Sequence, residues 1–205
     1  MGNLRSVVNA LEHVSGKQHQ VVLTSSPDQV IKADRVVFPG QGAARDCMNA
    51  IQNHELRDTI LTAVEQKPFL GICMGMQVLV DYSEENQGVD CLSIYFGRVK
   101  YFGDFQQDSG ANKLKVPHMG WNNLTQTKVH PLWHAIEDDA RFYFAHSYYL
   151  DCVDKELIAG ECDYGFTFTS AIAKDNVFAL QCHPEKSAQA GLQLLTNFVK
   201  WNGQA

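Results

Sequence analysis

The segment around Cys73 is the feature that most constrains the fold of this chain. The apolar run Phe69–Cys73 leads directly into a second apolar segment, and Cys73 stands between Gly71 and Gly75. A Gly-x-Cys-x-Gly arrangement at such a junction is typical of a sharp, strained turn from a buried strand into a helix, with the cysteine displayed above the sheet. The sequence therefore predicts an α/β fold with a reactive cysteine at a strand end. The positive N-terminus of the following helix would favour the thiolate form.

Strands and helices alternate through the first half of the chain. Apolar residues at helical spacing predict a helix over residues 4–14, with Gly16 as its C-cap. Ser26 and Pro27 predict the start of a second helix. Further elements are predicted as strands at 20–24, 35–38 and 68–73 and as a helix over 46–66. This alternation indicates an α/β fold with a doubly wound, mostly parallel sheet. Such a sheet normally opens with a strand, so we expect a first strand to be missing from the N-terminus of this chain.

The second half of the chain is richer in predicted strands. They are rich in β-type residues and separated by Gly, Asp and Asn turns, at 93–102, 113–116, 141–150, 156–162, 167–173 and 177–181. A last helix is predicted over 187–201. With no repeat or linker, residues 1–205 are predicted to form one domain, which is long enough to bury a substantial core.

Composition argues against several classes of partner. A net charge of −6 gives no electrostatic reason to expect nucleic acid or an anionic membrane. No apolar run approaches the roughly 18 residues of a membrane span, and no secretion signal is evident, so we expect a soluble, cytoplasmic protein. The six cysteines form no Cys-x-x-Cys pair, which favours reduced thiols over disulfides.

A histidine and a carboxylate follow the last predicted strand. His183 and Glu185 lie two residues apart, so in an extended segment their side chains project to the same side. Cys73 would be the nucleophile, His183 the base that activates it and then protonates the leaving group, and Glu185 the acid that orients the imidazole. These three residues are the predicted catalytic triad of a hydrolase.

Amide hydrolysis also needs hydrogen-bond donors for the oxyanion. One candidate is the backbone amide of Met74, directly after the nucleophile. The other is the Gly40-Gln41-Gly42 loop, whose glycines permit N–H groups to turn toward the site. Gln77, one helical turn beyond Cys73, would offer its side-chain amide to a polar substrate.

Each of these elements has an alternative interpretation. A lone buried cysteine is usually structural, the segment 183–185 alone suits an ordinary corner, and 39–42 alone suits a simple turn. Their co-occurrence at the ends of predicted parallel strands favours a site, because open α/β sheets bind ligands there. His130 and His134 lack an evident third ligand, so we expect surface histidines and predict no metal or other cofactor.

Two further segments allow both structural and functional interpretations. The aromatic run from Phe142 to Tyr149 is first of all a core strand, while its polar end, Ser147 and Tyr148, is the part that would face substrate. Trp121 lies among loop-type residues, which suits a contact surface as well as a core.

The three motifs resemble the signatures of class I (triad-type) glutamine amidotransferases. Those signatures are Pro39-Gly40-Gln41-Gly42, Gly71–Gln77 and His183-Pro184-Glu185. Over essentially the whole chain, the resemblance within that class is to the glutaminase subunits of imidazole glycerol phosphate synthases. The segments that carry it are Met1–Ser6, His118–Asn122, Phe144–Tyr149 and His183–Ser187.

The resemblance implies hydrolysis of L-glutamine to L-glutamate and ammonia through a thioester on Cys73. The ammonia would pass to a cyclase subunit, a (β/α)₈ barrel that makes imidazole glycerol phosphate and aminoimidazole carboxamide ribotide in histidine biosynthesis. Asn3, Trp121 and Lys186 match positions expected near the interface with that partner.

Two departures from the family pattern stand out. Family members begin with a β-strand and an Asp-Tyr-Gly-type turn before the segment that starts at Met1 here, and Cys182 stands where the family tends to place an aromatic residue. Two rival functions are considered beside this one. The chain could be another class I amidotransferase subunit, serving anthranilate or pyridoxal phosphate synthesis, or an inactive truncated remnant.

Overall fold

A mixed β-sheet with helices packed on both faces organises the chain. The computed structural model describes residues 2–17, 19–40, 42–103 and 115–204, without the side chains of residues 2 and 3. The helices are α1 (Gly2–Ser15), α2 (Pro27–Lys32), α3 (Ala44–Asn53), α4 (Arg57–Gln66), α5 (Met74–Gln77) and α6 (Ala188–Lys200). The strands are β1 (Val36–Gly40), β2 (Phe69–Cys73), β3 (Val80–Ser83), β4 (Val89–Asp90), β5 (Tyr95–Tyr101), β6 (His118–Gln126), β7 (Ala140–His146), β8 (Tyr148–Cys152), β9 (Ile158–Asp163), β10 (Thr167–Lys174) and β11 (Val177–Leu180).

The sheet is parallel beside the cysteine and antiparallel through most of the second half. Its main path runs β1-β2-β11-β10-β8-β5-β3-β4, while β9 pairs with β10 and β6, and β6 pairs with β7. The neighbours β1, β2 and β11 are parallel, as are β3 and β5. The strand β10 pairs antiparallel with β8, β9 and β11, and β6 pairs antiparallel with β7 and β9. Three parallel strands therefore end together at the edge where Cys73 lies.

Alternating residues of the central strands face two separate cores. Leu70 and Ile72 of β2 pack with α1 and α6 on one side of the sheet. Phe69 of β2 packs with α3 and α4 on the other side. Because side chains alternate across a strand, this division places helices on both faces. The predicted doubly wound α/β fold is thus confirmed.

The predicted strand over 20–24 does not form. These residues have no regular secondary structure, and Val22 and Leu23 are 53% and 63% exposed. An extended segment becomes a strand only by pairing, and the strand order of the described residues ends at β1 without reaching this segment. The apolar residues of this segment alone do not indicate whether a neighbouring strand is present to pair with it.

Four further predictions differ from the local structure in whole or in part. The predicted helix over 46–66 is two helices, α3 and α4, separated at Glu55, whose φ is 53°. The predicted strand 141–150 is interrupted at Ser147, so β7 and β8 are distinct. Ser26 precedes α2 as predicted, but its side chain makes no capping hydrogen bond. The predicted strand 113–116 lies partly outside the described residues, and residues 115 and 116 are not in a strand.

Candidate active site

Cys73 occupies the strained turn that the sequence predicted. It ends β2 with φ 54° and ψ −111°, a backbone conformation that residues other than glycine rarely adopt. The flanking glycine is required by close packing, because a Cβ on Gly75 would overlap the backbone carbonyl oxygen of Phe38. The helix that follows is a single turn, α5, and β3 begins at Val80. Cys73 is therefore held by a tightly packed turn and followed by a short helix.

The glycine loop lies beside Cys73 across the parallel pair of β1 and β2. Gly40 is in register with Cys73, and a Cβ on Gly40 would lie 2.8 Å from the amide nitrogen of Gly75. Gly42 has a φ of 79°, in the region that glycine favours. Gln41 lies outside the described residues. Met74, the other predicted source of an oxyanion donor, is buried directly after the cysteine.

His183 and Glu185 form a buried pair at the end of the neighbouring strand β11. The Nδ1 atom of His183 lies 2.9 Å from Oε1 of Glu185, and the Glu185 side chain is completely buried. The backbone amide of His183 donates to the carbonyl of Tyr143, and Ser187 Oγ donates to the carbonyl of His183. These contacts fix the imidazole ring. Because Nδ1 is bonded to Glu185, Nε2 is the ring nitrogen available for a hydrogen bond with Cys73.

The electrostatics of the pair suit a base that holds a proton. Burial lowers the pKa of His183, but its hydrogen bonds to Cys73 and Glu185 and their negative charges outweigh burial and raise the pKa to about 9. Among the described residues, Oε2 of Glu185 is buried without a hydrogen-bond partner. The imidazolium is therefore the main group that compensates the buried carboxylate.

Two glutamine side chains continue the polar network behind Cys73. The Nε2 atom of Gln77 donates to the carbonyl of Tyr148 at 3.0 Å and to Oε1 of Gln181 at 2.8 Å. Nε2 of Gln181 lies 3.6 Å from Sγ of Cys73. The predicted amide of Gln77 is thus bonded inside the protein, which leaves its Oε1 for any contact with substrate. Gln181 was not singled out from the sequence, although a fully buried polar residue directly after the apolar strand β11 is the signal that marks it.

Ser147 and Tyr148 lie at the corner between β7 and β8. Tyr148 joins the site through its backbone carbonyl, which accepts from Gln77, and its ring lies 5.2 Å from that of Tyr101. The carbonyl of Ser147 accepts from the amide of Phe102. A substrate contact by either side chain stays a prediction.

The predicted interface residues Trp121 and Lys186 meet at Tyr143. The ammonium of Lys186 lies 5.6 Å from the centre of the Tyr143 ring, and the Trp121 ring packs edge-on against it at 6.2 Å. Trp121 is 44% exposed, and Met119 on the same strand is also exposed. We name Met119, Trp121, Tyr143 and Lys186 the β6–β7 surface. The side chain of Asn3 lies outside the described residues.

A second pair of buried histidines was not predicted to be a site. His118 Nδ1 lies 2.9 Å from His146 Nε2, and His146 Nδ1 lies 2.7 Å from the carbonyl of Tyr148. A carbonyl only accepts, so His146 carries its proton on Nδ1 and accepts from His118. Burial lowers the pKa of His118 to about 4 and that of His146 to about 3. Both are therefore neutral at physiological pH.

The expectation that His130 is a surface residue is wrong. It is buried, with its ring 4.8 Å from that of Phe178 and 5.2 Å from that of Trp201. His134 is exposed, as expected. No group of three metal-binding side chains occurs among the described residues, and none of the helices they form is long and apolar enough to cross a membrane.

Comparisons with known proteins identify the family of the chain. The model of the family "Glutamine amidotransferase class-I" matches residues 1–201. "Imidazole glycerol phosphate synthase subunit HisH" of Thiobacillus denitrificans is 58% identical over 98% of this chain and 88% of its own length. The protein of the same name from Hydrogenovibrio crunogenus is 52% identical over 100% and 94%.

Solved structures agree at the level of the fold. A crystal structure of a glutamine amidotransferase superposes with a TM-score of 0.67 at 13% identity, covering 97% of this chain and 93% of the other. A glutamine amidotransferase from Thermotoga maritima gives 0.53 at 16% identity, covering 92% and 69%. The chain belongs to the class I glutamine amidotransferases and, within them, to the HisH family of imidazole glycerol phosphate synthase subunits.

Proposed function

We propose that the chain hydrolyses L-glutamine to L-glutamate and ammonia as the glutaminase subunit of an imidazole glycerol phosphate synthase in histidine biosynthesis. The observation that carries the chemistry is the buried pair of His183 and Glu185 beside Cys73 in its strained turn. The names and full-length identity of the relatives support the biosynthetic role.

The reaction proceeds in two steps at Cys73. The proton of the Cys73 thiol resides on His183, as the raised pKa of the imidazole favours, and the sulfur attacks the carboxamide carbon of glutamine to give a tetrahedral oxyanion. Collapse of that intermediate breaks the C–N bond, His183 donates its proton to the departing ammonia, and a thioester remains. Water, deprotonated by His183, then attacks the thioester and releases glutamate and the thiol. Glu185 stabilises the imidazolium in both steps and holds Nε2 toward the sulfur.

The oxyanion is proposed to bind at the start of α5 and the loop after β1. The amide of Met74 directly follows the nucleophile, and the register of Gly40 with Cys73 brings the loop to the same strand edge. We assign Gly40, Gln41, Gly42, Met74, Gln77, Ser147 and Tyr148 to oxyanion and substrate binding.

The cyclase subunit is proposed to dock on the β6–β7 surface. This surface combines exposed apolar side chains with the Lys186 ammonium beside Tyr143, and aromatic residues and methionine are enriched in interface cores. Its position next to the triad keeps the released ammonia close to the partner. Asn3 is assigned to the same interface. We further propose that residues 1–205 act as one domain in the cytoplasm, where reduced thiols persist.

Replacing Cys73 tests the proposal directly. In the complex with the cyclase, Cys73→Ala should abolish product formation from glutamine, because it removes the sulfur on which the thioester forms, and leave formation from added ammonium salt unchanged. Cys47→Ala is the matched control, since Cys47 lies on α3 and burial raises its pKa to about 12. Loss of both activities, or survival of glutamine-dependent synthesis, would refute the proposal.

Mixing purified subunits separates this function from its rivals. The chain should form a complex with the cyclase on size-exclusion chromatography, and the complex should turn over glutamine. Binding instead to an anthranilate or pyridoxal phosphate synthase would identify another amidotransferase. A complex without glutamine turnover would identify an inactive remnant.

A further inference from the structure

Gln181 is a polar contact of the nucleophile that the two-step reaction above does not use. It follows Leu180, which is in register with Ile72, so Gln181 and Cys73 are neighbours across the parallel pair of β11 and β2. Its side chain is fully buried, with Nε2 3.6 Å from Sγ of Cys73 and Oε1 2.8 Å from Nε2 of Gln77. A buried carboxamide is costly unless its groups are bonded, so its presence directly after this apolar strand requires a reason.

The orientation of both carboxamides is fixed by a single backbone acceptor. The carbonyl of Tyr148 can only accept, so the group of Gln77 facing it must be the amide nitrogen. The second hydrogen of that nitrogen then points to Gln181, which must present its oxygen. The nitrogen of Gln181 consequently faces the sulfur. Rotating Gln181 by half a turn would oppose two amide nitrogens and leave two donors unbonded.

We propose that Gln181 is a positioning residue for the reaction: its carboxamide donates to the sulfur of Cys73 and, through Gln77, ties the nucleophile to the backbone of Tyr148. The inference rests on the proposed role of Cys73 as nucleophile. A donor at this point stabilises negative charge on the sulfur more than it stabilises the neutral thiol, since hydrogen bonds to charged groups are stronger. It acts from behind the turn, on the side of β11 rather than on the side of the oxyanion donors.

Two near-isosteric substitutions test the donor. Gln181→Met removes it, and Gln181→Glu replaces it with an acceptor that repels a thiolate. Alkylation of Cys73 by iodoacetamide, followed across pH by mass spectrometry of its peptide, reports the charge on the sulfur. The midpoint pH should rise in both variants, by about one unit or more in Gln181→Glu. Glutamine hydrolysis by the complex with the cyclase should fall on the order of tenfold or more. The same two changes at Gln52, which is exposed on α3, should shift neither measurement.

The result that would overturn the inference is an unchanged alkylation midpoint in a Gln181 variant whose thermal melt shows a folded chain. A second measurement uses the unsubstituted chain and so does not depend on the folding of any variant. The NMR chemical shift of the Gln181 side-chain amide should change with pH at the same midpoint as the alkylation of Cys73. A chemical shift that does not change at that midpoint would also overturn the inference. An unsubstituted complex that does not hydrolyse glutamine would instead refute the proposed function, whatever the alkylation shows.

Discussion

Two buried histidines on opposite sides of the polar network show what a partner does to the same side chain. His183 follows the parallel strand β11 and has a carboxylate oxygen at 2.9 Å, and its hydrogen bonds to Cys73 and Glu185 raise its pKa to about 9 in spite of burial. His146 ends the antiparallel strand β7, is bonded to a carbonyl and to His118, and has a pKa of about 3. Burial is common to both, so it does not decide their charge. The hydrogen bonds and negative charges of Cys73 and Glu185 outweigh burial at His183, whereas no acidic side chain among the described residues acts in this way on His146, so of the two only the pKa of His183 is raised.

Removing the carboxylate is the strongest way to break this contrast. Glu185→Gln makes the surroundings of His183 resemble those of His146, because the amide bonds the ring without supplying charge. We expect glutamine hydrolysis to fall by roughly 10³-fold or more, since the imidazolium loses its compensating charge. Synthesis from added ammonia by the complex should be unchanged. The comparison is wrong if Glu185→Gln retains hydrolysis close to that of the control Glu65→Gln, a change at an exposed position on α4.

The neutral histidine pair should make the fold sensitive to acid. In the unfolded chain a histidine takes up its proton below its usual pKa of about 6.5, whereas His118 and His146 resist protonation down to about 4 and 3 in the folded state. Stability is therefore complete above pH 6.5 and is lost as the pH falls toward those values. We expect a loss of roughly 1–2 kcal/mol per histidine between pH 7 and pH 5, measured by urea unfolding.

His118→Phe sharpens that measurement. The ring of His118 stacks on those of Phe144 and Tyr164, so phenylalanine fits an aromatic environment and removes one titrating group. The variant should lose less stability between pH 7 and pH 5 than the original chain, even if its absolute stability is lower. His54→Gln, at an exposed position, is the control. Equal acid sensitivity in the original chain and in His118→Phe would contradict the assignment.

The smallest expected effect concerns the β6–β7 surface. Trp121→Ala should weaken binding of the cyclase by about tenfold, the usual effect of truncating an aromatic interface residue. It should leave the thermal melt of the free chain nearly unchanged, because Trp121 is 44% exposed. Val153→Ala, at another exposed apolar position, should not alter affinity. Titration calorimetry with the cyclase gives both affinities, and equal values for the two variants would remove Trp121 from the interface.

The two halves of the sheet also differ in how much could be predicted from sequence. Cys73, His183 and Glu185 are marked by local patterns at strand ends, and parallel strands bring their ends together by geometry alone. The pair of His118 and His146 depends instead on the antiparallel register of β6 with β7, across a separation of 28 residues. The spacing of residues along the chain does not predict the register in which two antiparallel strands pair.

Two further features of the antiparallel half could not be predicted from the sequence, because they involve polar residues. The strand β6 was not predicted because His118–Gln126 contains glycine, asparagine and glutamine, and its bonding to β7 and β9 outweighs weak strand propensity. The contact of Gln181 with Cys73 was missed for a related reason. It depends on the orientation of Gln77, which is fixed by a backbone carbonyl rather than by a side chain that a motif could reveal.

The close approach of Gly75 to Phe38 ties the reactivity of Cys73 to a local opening equilibrium. Within the described sheet, β1 hydrogen-bonds to one neighbour, β2, and end strands have the lowest free energy of opening. Because the carbonyl of Phe38 lies against the turn that holds Cys73, we expect opening of β1 to remove a packing contact from that turn. Hydrogen exchange at the amides of β1 would then report how often the active site is assembled. Added bonding along the edge of β1 that faces away from β2 should raise that fraction without any change near the sulfur.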